Sequence, residues 1–147
     1  MNVHGFDLDL TKPALSGVYF VGSRDLDRLA KAATRDELRI CRTDLAGCHD
    51  KPELLRRLAI SLQLPANFGH NWDALADCLR DLRWIPAWGY VLLFEHADEF
   101  RQAAEADYNI LLGMLDDAAT FGIDNDMPWF AFLALPDDAF DDGHLPA

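Results

Sequence analysis

Between Leu64 and Leu79 the chain reads LPANFGHNWDALADCL, and Asp73, Asp77 and, just beyond, Asp81 recur at intervals of four. On a helix this spacing stacks three carboxylates in one column, although each like-charged i, i+4 pair costs roughly 0.2–0.5 kcal/mol. A metal site would need ligands converging from several directions. Acid–base catalysis would need carboxylates held around one substrate in different surroundings. A single column, even with His70 beside it, provides neither, so no catalytic residue, metal or cofactor is expected. Docking against a cationic surface suits it better, because an Arg guanidinium grips a carboxylate with two parallel hydrogen bonds as it grips a phosphate. The plain alternative is a solvated helix face. It serves well for Asp73, which meets the positive end of the helix dipole at a gain of about 0.3–1 kcal/mol, but less well for Asp77, a turn further in.

The elements that must hold these carboxylates follow from the same stretch. With successive residues 100° apart on a helix starting near Asn71, Trp72, Leu75, Cys78, Leu79 and Leu82 fall on one broad apolar side. Asp73, Asp77 and Asp81 fall opposite, and Arg80 flanks them as a partial countercharge. In the loop Asn67-Phe68-Gly69-His70-Asn71, Gly69 permits a positive φ and Asn71 is a good N-cap. Phe68 either staples onto the helix or helps present a shaped anionic surface.

Along the rest of the chain, strand and helix patterns alternate. GVYFV (17–21) reads as a buried strand, followed by a helix capped by Ser23. ELRICRTDL (37–45) alternates like a strand. In the next segment Pro52 suits a first helical turn, and Leu54, Leu55, Leu58, Ile60 and Leu62 supply an apolar stripe. GYVLLFE (89–95) and WFAFLAL (129–135) are near-continuous apolar runs, the pattern of strands covered on both faces. Between them YNILLGMLDDAATF (108–121) reads as a helix stopped by Gly122. The βα order predicts an α/β fold, a small parallel sheet of three core strands plus an extra N-terminal strand, flanked by helices. One domain is expected over 15–135, with 1–14 and 136–147 loosely held.

The formal charge is −12, from 25 acidic against 13 basic side chains, which repels nucleic-acid backbones and anionic membranes and favours a basic protein partner. Cys41, Cys48 and Cys78 form neither a CxxC pair nor an even secretory framework, and MNVHGFDLDL lacks a basic region followed by an apolar run. Free thiols and a cytoplasmic location are the expectation. No apolar segment approaches the roughly 20 residues that span a bilayer. His4, His49, His96 and His144 lack zinc-type spacing and read as surface or capping residues, and Asp124-Asn125-Asp126 as a turn before Pro128. Trp84, Trp88 and Trp129 are expected in the core or at its rim, with Trp84 to Trp88 as an alternative edge of a binding surface.

The motif LPxxFGxNWDALxDCL resembles the signature of the barstar family, intracellular inhibitors of the secreted ribonuclease barnase. The resemblance is close over 64–79 and looser through the following strand, the helix ending at Phe121-Gly122 and the last strand. The preceding βα portion, about 15–34, resembles only the longer bacterial members. The resemblance implies a barstar-like fold, a monomer, and a loop and helix that enter a ribonuclease active site, with Asp73 and Asp77 meeting the cations that hold RNA phosphates. The implied partner surface comprises Asn67, Phe68, Gly69, His70, Asn71, Trp72, Asp73, Ala76, Asp77, Arg80 and Asp81. Asp117 joins it from the later helix, where the family usually has Glu. The family's founding member carries an aromatic residue at the position of Asn67 and a tryptophan at that of Ala76. Losing both removes contact area of the kind that makes hot spots, so the implied partner is a related basic ribonuclease rather than barnase itself. The barnase–barstar pair is itself the standard reference for such interfaces, and its magnitudes are not predictions for this chain. The alternative is an immunity or regulatory protein of the same fold that binds a different nuclease toxin or basic protein.

Overall fold

The computed structural model describes residues 8–66, 68–82 and 85–136; Asn67, Trp84, His4, His144, half of the expected loose N-terminal segment and all but Pro136 of the C-terminal one lie outside them. A 3-10 turn at Pro13–Leu15 precedes β1 (Gly17–Gly22), α1 (Asp25–Arg35), β2 (Arg39–Asp44), α2 (Lys51–Ser61), α3 (Trp72–Arg80), β3 (Tyr90–Glu95), α4 (Ala97–Ala103), α5 (Glu105–Asp124) and β4 (Trp129–Leu135). The four strands form one sheet in the order β1-β4-β3-β2, and every pairing is parallel. The fold is α/β as its βα order requires.

Handedness distributes the helices. The steps β2 to β3 to β4 run one way across the sheet, so right-handed crossovers place their helices on one face; β1 to β2 runs the other way and sends α1 to the opposite face. The core divides accordingly. Leu54, Leu58, Leu75, Leu79, Leu111 and Leu115 of α2, α3 and α5 pack with Leu92, Phe94, Ala131 and Leu133 of the sheet. On the other face Leu26, Leu29 and Ala33 of α1 pack on Val91, Leu93, Phe130 and Phe132. Burial on both faces is why β3 and β4 are continuously apolar. Leu10, ahead of the expected domain start at 15, is only 1% exposed in the α1-side core.

Several local expectations need correction. β1 is an edge strand rather than a buried one: of its residues only Val21 is buried. Arg24, not Ser23, occupies the capping position of α1, and no side chain caps it. Ile60 points away from the α2 stripe and is 67% exposed, because positions 54, 55, 58 and 62 already fill the buried arc. Gly122 does not stop α5, which continues to Asp124. A Cβ there would lie 2.7 Å from the Met127 carbonyl oxygen and 2.8 Å from Trp129 Cβ, so the glycine permits close packing of α5 on the chain entering β4. Trp129 and Trp88 part company: the first is fully buried, the second exposed. Cys41 and Cys48 are buried, Cys78 half-buried, and all three thiols are free.

Polar links fasten the layers. Arg42 of β2 reaches Asp27 of α1 and Glu95 of β3, both at 3.1 Å. Asp50 caps α2 by accepting from the Glu53 N–H at 3.0 Å, with Pro52 in the first turn as expected. Hydrogen bonds from Arg56 and then Arg57 hold the Glu53 carboxyl down at about 2. His49 and His96 are surface residues paired with Glu99 and Asp44 at 2.8 and 2.7 Å. The His49 hydrogen bond, with the Gly47 N–H behind it, lowers the Glu99 carboxyl.

Candidate partner-binding site

Helix α3 is fixed at its start by Asn71, whose extended backbone lets its side-chain oxygen accept from the Ala74 N–H at 2.8 Å. The turn before it differs from the expectation in one respect. His70, with φ of 52°, takes the left-handed conformation, and Gly69 has no positive φ. What glycine provides at 69 is space instead: a Cβ would sit 3.0 Å from Asn71 Nδ2, and the capping amide would have to give by a few tenths of an ångström. His70 is steadied by its Nδ1–H, which donates to the Phe68 carbonyl at 3.0 Å, and by its ring, 4.8 Å from that of Phe68. Phe68 itself is 7% exposed and belongs to the main core, so it anchors the loop and offers no ring at the surface.

Leu75 and Leu79 hold the inner face of α3 against the core, while Trp72, Ala76 and Cys78 are half-buried along its flanks. Trp72 carries Lys51 of α2 over its ring, 5.6 Å from the centroid, so its ring contacts a cation of this chain. Asp73 and Asp77 project outward one turn apart, as the spacing requires. The Asp77 side chain is 79% exposed, and Arg80 Nη2 approaches its Oδ1 at 2.9 Å. The expected third step of the column is altered. Asp81 is the C-cap, with extended backbone and an N–H donated to the Asp77 and Cys78 carbonyls, so it lies exposed at the helix end rather than on the next turn. Burial, followed by the carboxylates of Asp77 and Asp81, pushes the Cys78 thiol up.

Asp117 is exposed on α5, the helix against which α3 packs. A groove of about 260 Å³, which sequence reasoning missed, continues the surface beyond Arg80 and Asp81 between Leu82, Phe121, Asn125 and Met127. Nothing in the sequence marks it, because it forms only where the ends of α3 and α5 meet. A larger cleft, about 500 Å³, opens at the carboxyl ends of β3 and β4 among Glu95, His96, Asp98 and Glu99, and no residue of α3 lines it. Among the described residues no three His, Cys, Asp or Glu side chains converge as metal ligands would. None of the helices described is long and apolar enough to cross a membrane.

The surface is thus a capped, rigid helix with an anionic outer face. Comparison with known proteins finds that the family model described as Barstar (barnase inhibitor) matches residues 38–134, from the end of the α1 connection through β4. No curated protein matches the chain. Among solved structures, a chain of the Drosophila ORC bound to DNA is similar over 86% of this chain and 34% of that chain, at 17% identity and a TM-score of 0.46. This chain therefore spans about a third of that one's length.

Proposed function

The chain belongs to the barstar (barnase inhibitor) family, and from that premise we propose that it blocks a basic secreted ribonuclease by seating α3 and its preceding loop in the active site. Asp73 and Asp77 would occupy the places of RNA phosphates and meet the Arg, Lys and His side chains that bind them. The observation that carries this reading is their position: exposed and a turn apart on a helix whose other face is locked into the core and whose start is capped. Acceptors held this way lose little entropy on binding, and the net charge of −12 draws a basic enzyme inward. An inhibitor of an exported ribonuclease is needed inside the producing cell, which makes a cytoplasmic location part of the same proposal.

Two features favour a partner other than barnase. Ala76 leaves the centre of the helix face without a large anchor, and Arg80 sits 2.9 Å from Asp77 as a competing cation. A partner must displace Arg80 or accept it in the interface. The same chemistry would serve an immunity protein against a different nuclease toxin.

The test is titration of the protein into RNA-cleavage assays with several barnase-like secreted ribonucleases, at low and moderate salt. Stoichiometric inhibition is expected, weakened by salt and by more than about tenfold in affinity for Asp73→Ala and Asp77→Ala, each with the fold intact and with at most about 1 kcal/mol of stability lost at Asp73. Inhibition that neither substitution alters would move the interface off α3. No inhibition of any of these enzymes would favour the other toxin class.

A further inference from the structure

The groove between the ends of α3 and α5 points to a second component of the partner surface, one that rests on the ribonuclease reading above. The outward side chains of α3 are Asp73, Asp77 and Arg80, all charged; Ala76 is small and half-buried, and the Trp72 ring already carries Lys51. Charge steers an encounter, but the desolvated centre of a tight interface is apolar or aromatic. The outer face of α3 presents no such group. The groove beside it does. Its floor is Leu79, Leu82 and Tyr90, each at most 5% exposed, and Phe121 and Met127 form its other wall. Phe121 is 39% exposed and lies one turn beyond Asp117 on α5, so the groove links the acidic face of α3 to that of α5.

We propose that this groove takes one apolar side chain, of leucine or phenylalanine size, from the ribonuclease, with Phe121 as the specificity-determining contact. Volume limits the occupant. The groove's 260 Å³ falls below the roughly 300–1,000 Å³ of small-molecule sites and suits one large side chain. Charge limits it too. Arg80 and Asp81 stand at the mouth with opposite signs and together attract neither an acid nor a base, whereas the floor and far wall reward apolar surface leaving water. Position chooses the donor. The α3 wall of the groove continues the helix that carries Asp77, and Arg80 Nη2 lies 2.9 Å from Asp77 Oδ1, so a protein seated on Asp73 and Asp77 passes over the groove. The groove is also formed in advance. The Tyr90 hydroxyl donates to the Ile85 and Leu82 carbonyls at 2.9 and 3.3 Å, and Asn125 Nδ2 donates to the Phe121 carbonyl at 2.8 Å, which fixes the floor and the end of α5 before anything binds.

The test adds Phe121→Ala, Phe121→Leu and Phe121→Glu to the inhibition titrations, against the ribonuclease that the unaltered chain inhibits most tightly, at low and moderate salt and with Asp77→Ala alongside. Phe121→Ala should weaken affinity about tenfold or more. The factor should be the same at both salts, because an apolar contact is not screened, while the loss at Asp77→Ala shrinks as salt rises. Phe121→Leu should keep most of the affinity. Phe121→Glu adds negative charge facing a basic enzyme and should nonetheless weaken binding. Circular dichroism of all three should match the unaltered chain. If Phe121→Ala inhibits like the unaltered chain while Asp77→Ala is weakened, the groove is not a subsite and the reading of α3 survives. Tighter inhibition by Phe121→Glu would make the position an electrostatic contact and overturn the proposal as well. If the unaltered chain inhibits no ribonuclease, the ribonuclease reading fails and this subsite fails with it.

Discussion

Gly122 and Gly69 show how a residue's role turns on what stands beside it. Both are glycines at expected chain turns, yet neither adopts a positive φ, and each has a neighbour at 3.0 Å or less from a would-be Cβ, a side-chain amide at Gly69 and backbone at Gly122. At Gly122 the neighbours are the Met127 carbonyl and the Trp129 Cβ, parts of the backbone path into a central strand that cannot swing aside. Gly122→Ala should therefore cost about 1–3 kcal/mol, as overpacked cores do, despite the gain in helix propensity. Urea denaturation would measure it as a lower midpoint with an unchanged slope. Asp77 is the opposite kind of residue: its exposure means that alanine leaves the fold alone and changes only what docks there. The sequence distinguished Asp77 by spacing, but it could not separate a glycine kept for conformation from one kept for space.

At the scale of elements, α3 is short, with nine residues, and an isolated helix of that length is not stable in water. Its order comes from Leu75 and Leu79 in the core and from the Asn71 cap, so the positions of Asp73 and Asp77 are inherited from both. Asn71→Ala should lower stability by about 1 kcal/mol, the usual value of a cap. It should also weaken ribonuclease inhibition, although Asn71 bears no charge, because the first turn carrying Asp73 frays. Thermal melts and inhibition titrations on the same variant would show the two losses together; a lost cap with full inhibition would mean that partner binding re-forms the turn at no cost. The apolar runs of β3 and β4 were legible as strands because burial on both faces leaves no choice of residue. GVYFV looks much like them, and yet β1 is an edge: composition reports that a strand is apolar, not which neighbour it lacks.

For the whole molecule, what matters most is that one sheet, buried on both faces, carries α3 on the side it shares with α2 and α5. The sequence by itself determined the α/β class, the order of the strands and of every helix but the short α4, the cap of α3, the Asp73–Asp77 spacing and the family signature, since each rests on local periodicity or on residue types at fixed intervals. Tertiary structure alone decided that Phe68 is buried in the core, that His70 and not Gly69 takes the left-handed turn, that Asp81 leaves the helix, and that β1 lies at the rim of the sheet beside β4. These depend on which distant segments share a face, and that is set by the handedness of crossovers and the packing of α5 on the sheet, which no single stretch of residues encodes.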